Sequence, residues 1–67
     1  MNAERISFKR DGDRYLVYVG KERVGFVANR QERWHWTEGH MVQSGHQRTR
    51  DEAARACAKA YRNQAQR

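Results

Sequence analysis

Proline is missing from this chain of 67 residues, so its reversals must come from Gly, Asn and Asp. Cysteine occurs once, at Cys57. That excludes an intramolecular disulfide and any need for an oxidising compartment. No apolar run approaches the roughly 20 residues of a membrane span, and the first residues lack the apolar stretch of a secretion signal. The expected setting is therefore the cytoplasm, without membrane contact. Apolar residues are scarce at 37%, and a chain of this length holds one domain with a small core.

Chemical machinery is sparse as well. Gly12, Gly20, Gly25, Gly39 and Gly45 are dispersed, so there is no glycine-rich phosphate loop. His35, His40 and His46 follow H-x4-H and H-x5-H spacings, which complete no metal-ligand pattern. Cys57 falls on the apolar stripe of a helix, where a cysteine serves as an inert small hydrophobe. A nucleophile, a base and an orienting group are not brought together. The expectation is no enzyme, no metal, no cofactor and no small-molecule substrate.

What the chain does have is positive charge. Lys plus Arg is 14 against 8 Asp plus Glu, a formal net charge of +6 at pH 7. Lysine occurs only at Lys9, Lys21 and Lys59, and the remaining cations are arginines. The guanidinium fork grips phosphate or guanine and stacks on rings. Such a bias is the electrostatic footprint of nucleic-acid binding, although a GC-rich coding sequence also favours arginine.

Alternation places strands near residues 5–10, 13–19, 22–28 and 33–37. Asp11-Gly12 signals a first two-residue turn, pairing Phe8 with Tyr15 and Ile6 with Val17. A second turn at Gly20-Lys21 pairs Val17 with Val24 and Tyr15 with Phe26. A looser loop of Asn29, Arg30 and Gln31 sets Phe26 opposite Trp34. These registers collect Ile6, Phe8, Tyr15, Val17, Val24, Phe26, Ala28, Trp34 and Trp36 on one face. Met41, Val42 and Gln43 are candidates for a short extra strand.

A helix follows near residues 50–63. Thr49 and Glu52 form a capping box, and Ala53, Ala56, Cys57, Ala60 and Tyr61 form its apolar stripe. A stripe so rich in alanine requires the sheet to supply the bulk, which explains two tryptophans in "RWHWT" (residues 33–37). The expected fold is α+β: a small antiparallel meander of three to four strands packed on one C-terminal helix.

The opposite face should carry Arg5, Ser7 and Lys9; Arg14, Leu16 and Tyr18; Arg23, Gly25 and Val27; and Arg33, His35 and Thr37. Only a few terminal residues and the loop remain in the chain to cover it. Arg5, Lys9, Arg14, Tyr18, Arg23, Arg33 and His35 are the candidate nucleic-acid contacts, with DNA ahead of RNA. Two other readings stay open. Leu16 and Tyr18 can simply pack under arginine stems, or the face can dock a partner protein or a second copy. The helix carries a second basic stripe, Arg55, Lys59 and Arg62, which reads as a solvated face.

The order of elements, entered into the helix through "TRDEAARACAKAY" with its T-x-x-E-A pattern, resembles two families. One comprises the arm-binding domains of phage-type tyrosine integrases, the other the plant ethylene-response-factor DNA-binding domain. The resemblance covers roughly residues 14–62 and leaves out the first strand. A long loop here also stands where those families run almost directly into the helix. It implies a sheet that enters the major groove and a helix that braces it. Arg14, Tyr18, Arg23, Arg33 and His35 then occupy groove-facing positions.

Overall fold

A computed structural model describes residues 5–65. Five strands run β1 (Ile6–Asp11), β2 (Arg14–Val19), β3 (Glu22–Arg30), β4 (Arg33–Glu38) and β5 (Ser44–Gln47), followed by helix α1 (Arg50–Ala65). The strands form one antiparallel meander in the order β1-β2-β3-β4-β5. The α+β meander against one C-terminal helix is as expected, with a fifth strand added. That strand is Ser44–Gln47, not the anticipated 41–43 segment, which loops.

The first hairpin turns at Gly12-Asp13, with Gly12 at φ 66°, and pairs Phe8 with Val17 and Ile6 with Val19. This is two residues away from the expected register, so every side chain keeps its face. The second hairpin starts as expected, with Val19 opposite Glu22, and then slips. Tyr18 pairs with Arg23 but Val17 pairs with Gly25, so Val24 is an extra residue in β3. This β-bulge reverses the alternation beyond it. Val27, not Phe26, lies opposite Tyr15. The third turn is Gln31-Glu32, with both residues at positive φ (55° and 64°). It sets Val27 opposite Trp36 and Asn29 opposite Trp34. The bulge and the shortened loop each shift parity by one, and the two shifts cancel at β4. Trp34 and Trp36 therefore face the helix as expected, whereas Phe26 and Ala28 face away and Gly25 and Val27 turn inward.

Gly25 is where this reversal is enforced. A Cβ there would collide with the Cys57 sulfur, the Thr37 carbonyl oxygen and Glu38 Cα, and φ is 155°. Only glycine lets the bulged backbone approach the helix this closely. The Cys57 thiol lies within weak hydrogen-bond range of the Val24 and Thr37 carbonyls (3.5 and 3.4 Å). Burial pushes that thiol up to about 12, with the charge of Glu38 adding to the effect.

The helix packs mainly on β3 and β4, and less on β5 and β2. Its buried side is Ala53, Ala54, Cys57, Ala58 and Ala60, wider than the expected stripe. The sheet contributes the fully buried Val17 and Val27 together with Val24. Valines, not tryptophans, thus fill the centre, while Ile6, Phe8, Tyr15, Val19, Trp34, Trp36 and Tyr61 wall it, partly buried. Trp36 lies over Gly45, where a Cβ would come within 2.9 Å of its ring. At the N-terminal end of the helix, the Arg50 guanidinium sits 4.2 Å over Phe8 and 5.2 Å over Tyr15. Thr49 caps the helix by accepting from the Glu52 amide (3.1 Å), while its hydroxyl donates to the Glu52 carboxylate (3.2 Å).

Candidate nucleic-acid interface

The helix lies on one side of the sheet only, and among the described residues no element covers the other side. On that side Lys9 pairs with Leu16, Ser7 and Arg23 each pair with Tyr18, and Arg33 pairs with Arg30. His35 pairs with Ala28 and with His46. Lys9, Arg14, Tyr18, Arg23, Arg33 and His35 therefore share the predicted face. Arg5 precedes β1, is exposed, and lends its carbonyl to the Gly20 amide (3.0 Å).

The parity reversal also brings residues here that the sequence reading assigned elsewhere or overlooked. Phe26 and Ala28 come from the predicted core and Arg30 from a predicted loop. His46 comes from the unforeseen β5. A glycine inside a strand pattern was the available signal, since it marks a bulge. The indole-rich face was correctly read as inner, but its predicted partner Phe26 is the middle of the outer one.

Phe26 is half-buried, and the Arg14 guanidinium lies 4.5 Å over its ring. Two of the Arg14 nitrogens reach one Asp11 carboxylate oxygen (3.3 and 3.2 Å), which fixes the stack. The His35 and His46 rings lie 5.6 Å apart. Two concavities open on either side of Phe26. One, about 290 Å³, includes Arg14, Leu16, Arg23 and Met41 in its lining. The other, about 500 Å³, includes Ala28, Arg30, His35 and Thr37. Arg33 and Arg48 line a further polar concavity at the end of the sheet.

Among the described residues, Arg23, Arg30 and Arg33 have no ion-pair partner. Arg30 and Arg33 also sit directly opposite each other, an arrangement that costs stability by itself.

One edge of this face is held by a buried acid. Glu38 is fully buried at the end of β4. One carboxylate oxygen accepts from the His40 amide (2.8 Å) and lies 3.0 Å from His40 Nδ1. The other accepts from the Val42 and Gln43 amides (2.8 and 3.1 Å). Burial alone would push the Glu38 pKa up, but these backbone and side-chain donors outweigh it and hold the carboxyl below the ordinary 4.5. The His40 ring stacks on Tyr61 at 4.6 Å, and the Tyr61 hydroxyl donates to Glu22 (2.8 Å). Donating to that carboxylate raises the Tyr61 phenol. The loop so held presents Met41 and Val42, 73% and 66% exposed.

Among the described residues, no group of three or more His, Cys, Asp or Glu side chains is arranged to hold a metal ion, and no helix is long and apolar enough to cross a membrane. The basic helix stripe of Arg55, Lys59 and Arg62 borders a groove of about 370 Å³ over Ile6, Val19 and Ala58. The chain matches no protein-family profile, no curated protein and no solved structure.

Proposed function

We propose that this protein is a small cytoplasmic nucleic-acid-binding module, DNA ahead of RNA, whose contact surface is the outer face of the sheet. It is a binding protein, not an enzyme, and needs no cofactor. The observation that carries this reading is the pair Arg30 and Arg33. They lie side by side on an uncovered face with no carboxylate partner among the described residues. A polyanion supplies the missing negative charge, and Lys9, Arg14 and Arg23 extend the positive field across the same face.

Met41 and Val42 favour a second reading. Two adjacent exposed apolar side chains, of which Met41 lines the concavity with Leu16 and Phe26, suit a protein partner or a second copy of the chain. A salt series separates the two. Engagement of several phosphates makes log K fall steeply with log salt, by about 0.9 for each phosphate on a duplex. Replacing Arg23, Arg30 and Arg33 with glutamine should cut that slope and leave the melting temperature near wild type. Replacing Arg55, Lys59 and Arg62 is the control. If the control abolishes binding and the sheet variant binds normally, the face is wrong. Salt-insensitive wild-type behaviour toward every polymer would pass the surface to a protein partner.

A further inference from the structure

The form of nucleic acid follows from the width of the sheet and the position of its rings, given the reading above. Five strands at about 4.8 Å spacing measure roughly 19 Å across. The major groove, about 12 Å wide, admits a helix or a two-stranded ribbon, so the whole face cannot enter it. Its centre is also poorly suited to a phosphate wall. Leu16, Phe26, Ala28 and Thr37 make a largely apolar strip there, and the two concavities share Phe26 as their common wall. The cations stand around this strip, not along it.

We propose that the outer face binds single-stranded nucleic acid, seating one base on each side of Phe26. On one side the Arg14 guanidinium, held by Asp11 and already layered on the ring, extends the stacking surface. Guanidinium planes and aromatic rings both accept unpaired bases in this way. On the other side a base enters the concavity bordered by His35 and Ala28. Arg23 lines the first seat and Arg30 the second, with Arg33 opposite Arg30 across the strand pair, where they meet the phosphates that connect the bases. The charge pattern suits this occupant, because a single strand exposes bases and phosphates together whereas a duplex presents phosphates to a broad surface.

The test is fluorescence anisotropy with labelled 12-nucleotide dT and U strands and a 12-base-pair blunt duplex at 50 mM salt. Wild type should bind the single strands at least about 10-fold tighter than the duplex. Phe26→Leu keeps apolar volume and removes the ring. It should weaken single-strand binding by about 10-fold without changing the salt slope, because no phosphate contact is lost. Phe26→Trp should bind as tightly as wild type. Arg30→Gln should lower the single-strand slope by about 0.7. If Phe26→Leu does not fold, His35→Ala serves as the second probe, since His35 borders the second seat: weakened single-strand binding supports the proposal and wild-type binding overturns it. Equal affinity for duplex and single strands, or a folded Phe26→Leu protein that binds as wild type, would overturn the stacking proposal and leave the broader nucleic-acid reading intact. Absence of salt-sensitive binding to any of the three polymers would instead overturn that broader reading.

Discussion

The two faces of the sheet use the same pairing of arginine with aromatic ring for opposite ends. On the helix side, Arg50 covers Phe8 and Tyr15 and closes the core beside the first turn of the helix. On the open side, Arg14 covers Phe26, and among the described residues no strand or helix packs above it. The chemistry is alike and the surroundings differ. A cation over a ring seals a core when a helix stands next to it and makes a contact surface when none does. A single glycine decides which ring belongs to which side, because the bulge at Val24-Gly25 exchanges Phe26 for Val27.

Breaking that exchange should have the largest effect. Gly25→Ala forces a side chain into the Cys57 sulfur and two backbone positions that cannot yield. The expected loss exceeds ~4 kcal/mol, comparable with the whole stability of a small domain. Thermal unfolding followed by circular dichroism should show no cooperative transition; a normal melt would mean that the two faces are not fixed by this residue.

Glu38 is the next element to break on the closed side. Glu38→Gln replaces a buried acceptor of three backbone N–H groups with a group that is half donor, and should cost roughly 2 kcal/mol. The same contact has a pH signature. Because folding lowers the carboxyl below 4.5, its stabilisation is fully present above that value and is lost as pH falls through the folded-state value. Wild-type melting temperature should thus drop in acid more steeply than that of Glu38→Gln, and parallel curves would refute the clamp.

Further changes sharpen the contrast. Trp36→Ala should fall at the lower end of the ~3–5 kcal/mol of a fully buried tryptophan, since the ring is mostly but not fully covered. Trp36→Phe should cost under ~1 kcal/mol, because the buried Nε1 has no partner to lose. Thr49→Ala should cost about 1 kcal/mol through the lost cap. Arg14→Gln on the open face should move stability by no more than ~0.5 kcal/mol, since its ion pair is exposed. Chemical denaturation of the four variants ranks them, and an Arg14 loss larger than that of Trp36→Ala would erase the distinction between the faces.

Much of this architecture was legible in the residues. Strand order, helix position, the capping Thr49 and the inward tryptophans follow from alternation, turn chemistry and helical spacing. The placement of Phe26 did not follow, because strict alternation in β3 was assumed through Gly25. The Gln31-Glu32 turn was hidden for a different reason: neither residue type advertises the positive φ that the turn demands. Two errors of opposite parity left Trp34 and Trp36 on the right side and hid the mistake between them. Strand β5 was missed because the loop before it takes its shape from Glu38, a residue with no local pattern to announce that role. On the outer face, Arg14, Arg23 and Arg33 fall where alternation places them, whereas Arg30 and Phe26 do not.

The Glu38 clamp also makes residues 40–43 a ready-made display segment. The carboxylate grips backbone amides, not the side chains of Val42 and Gln43, so the curve of the loop is written outside the positions that it exhibits. Val42 and Gln43 should accept nearly any residue except proline, whose missing N–H would release the grip. Met41, at φ 60°, should welcome glycine or asparagine. Contact chemistry at this rim can therefore diversify, by evolution or by library, without renegotiating the fold beneath it.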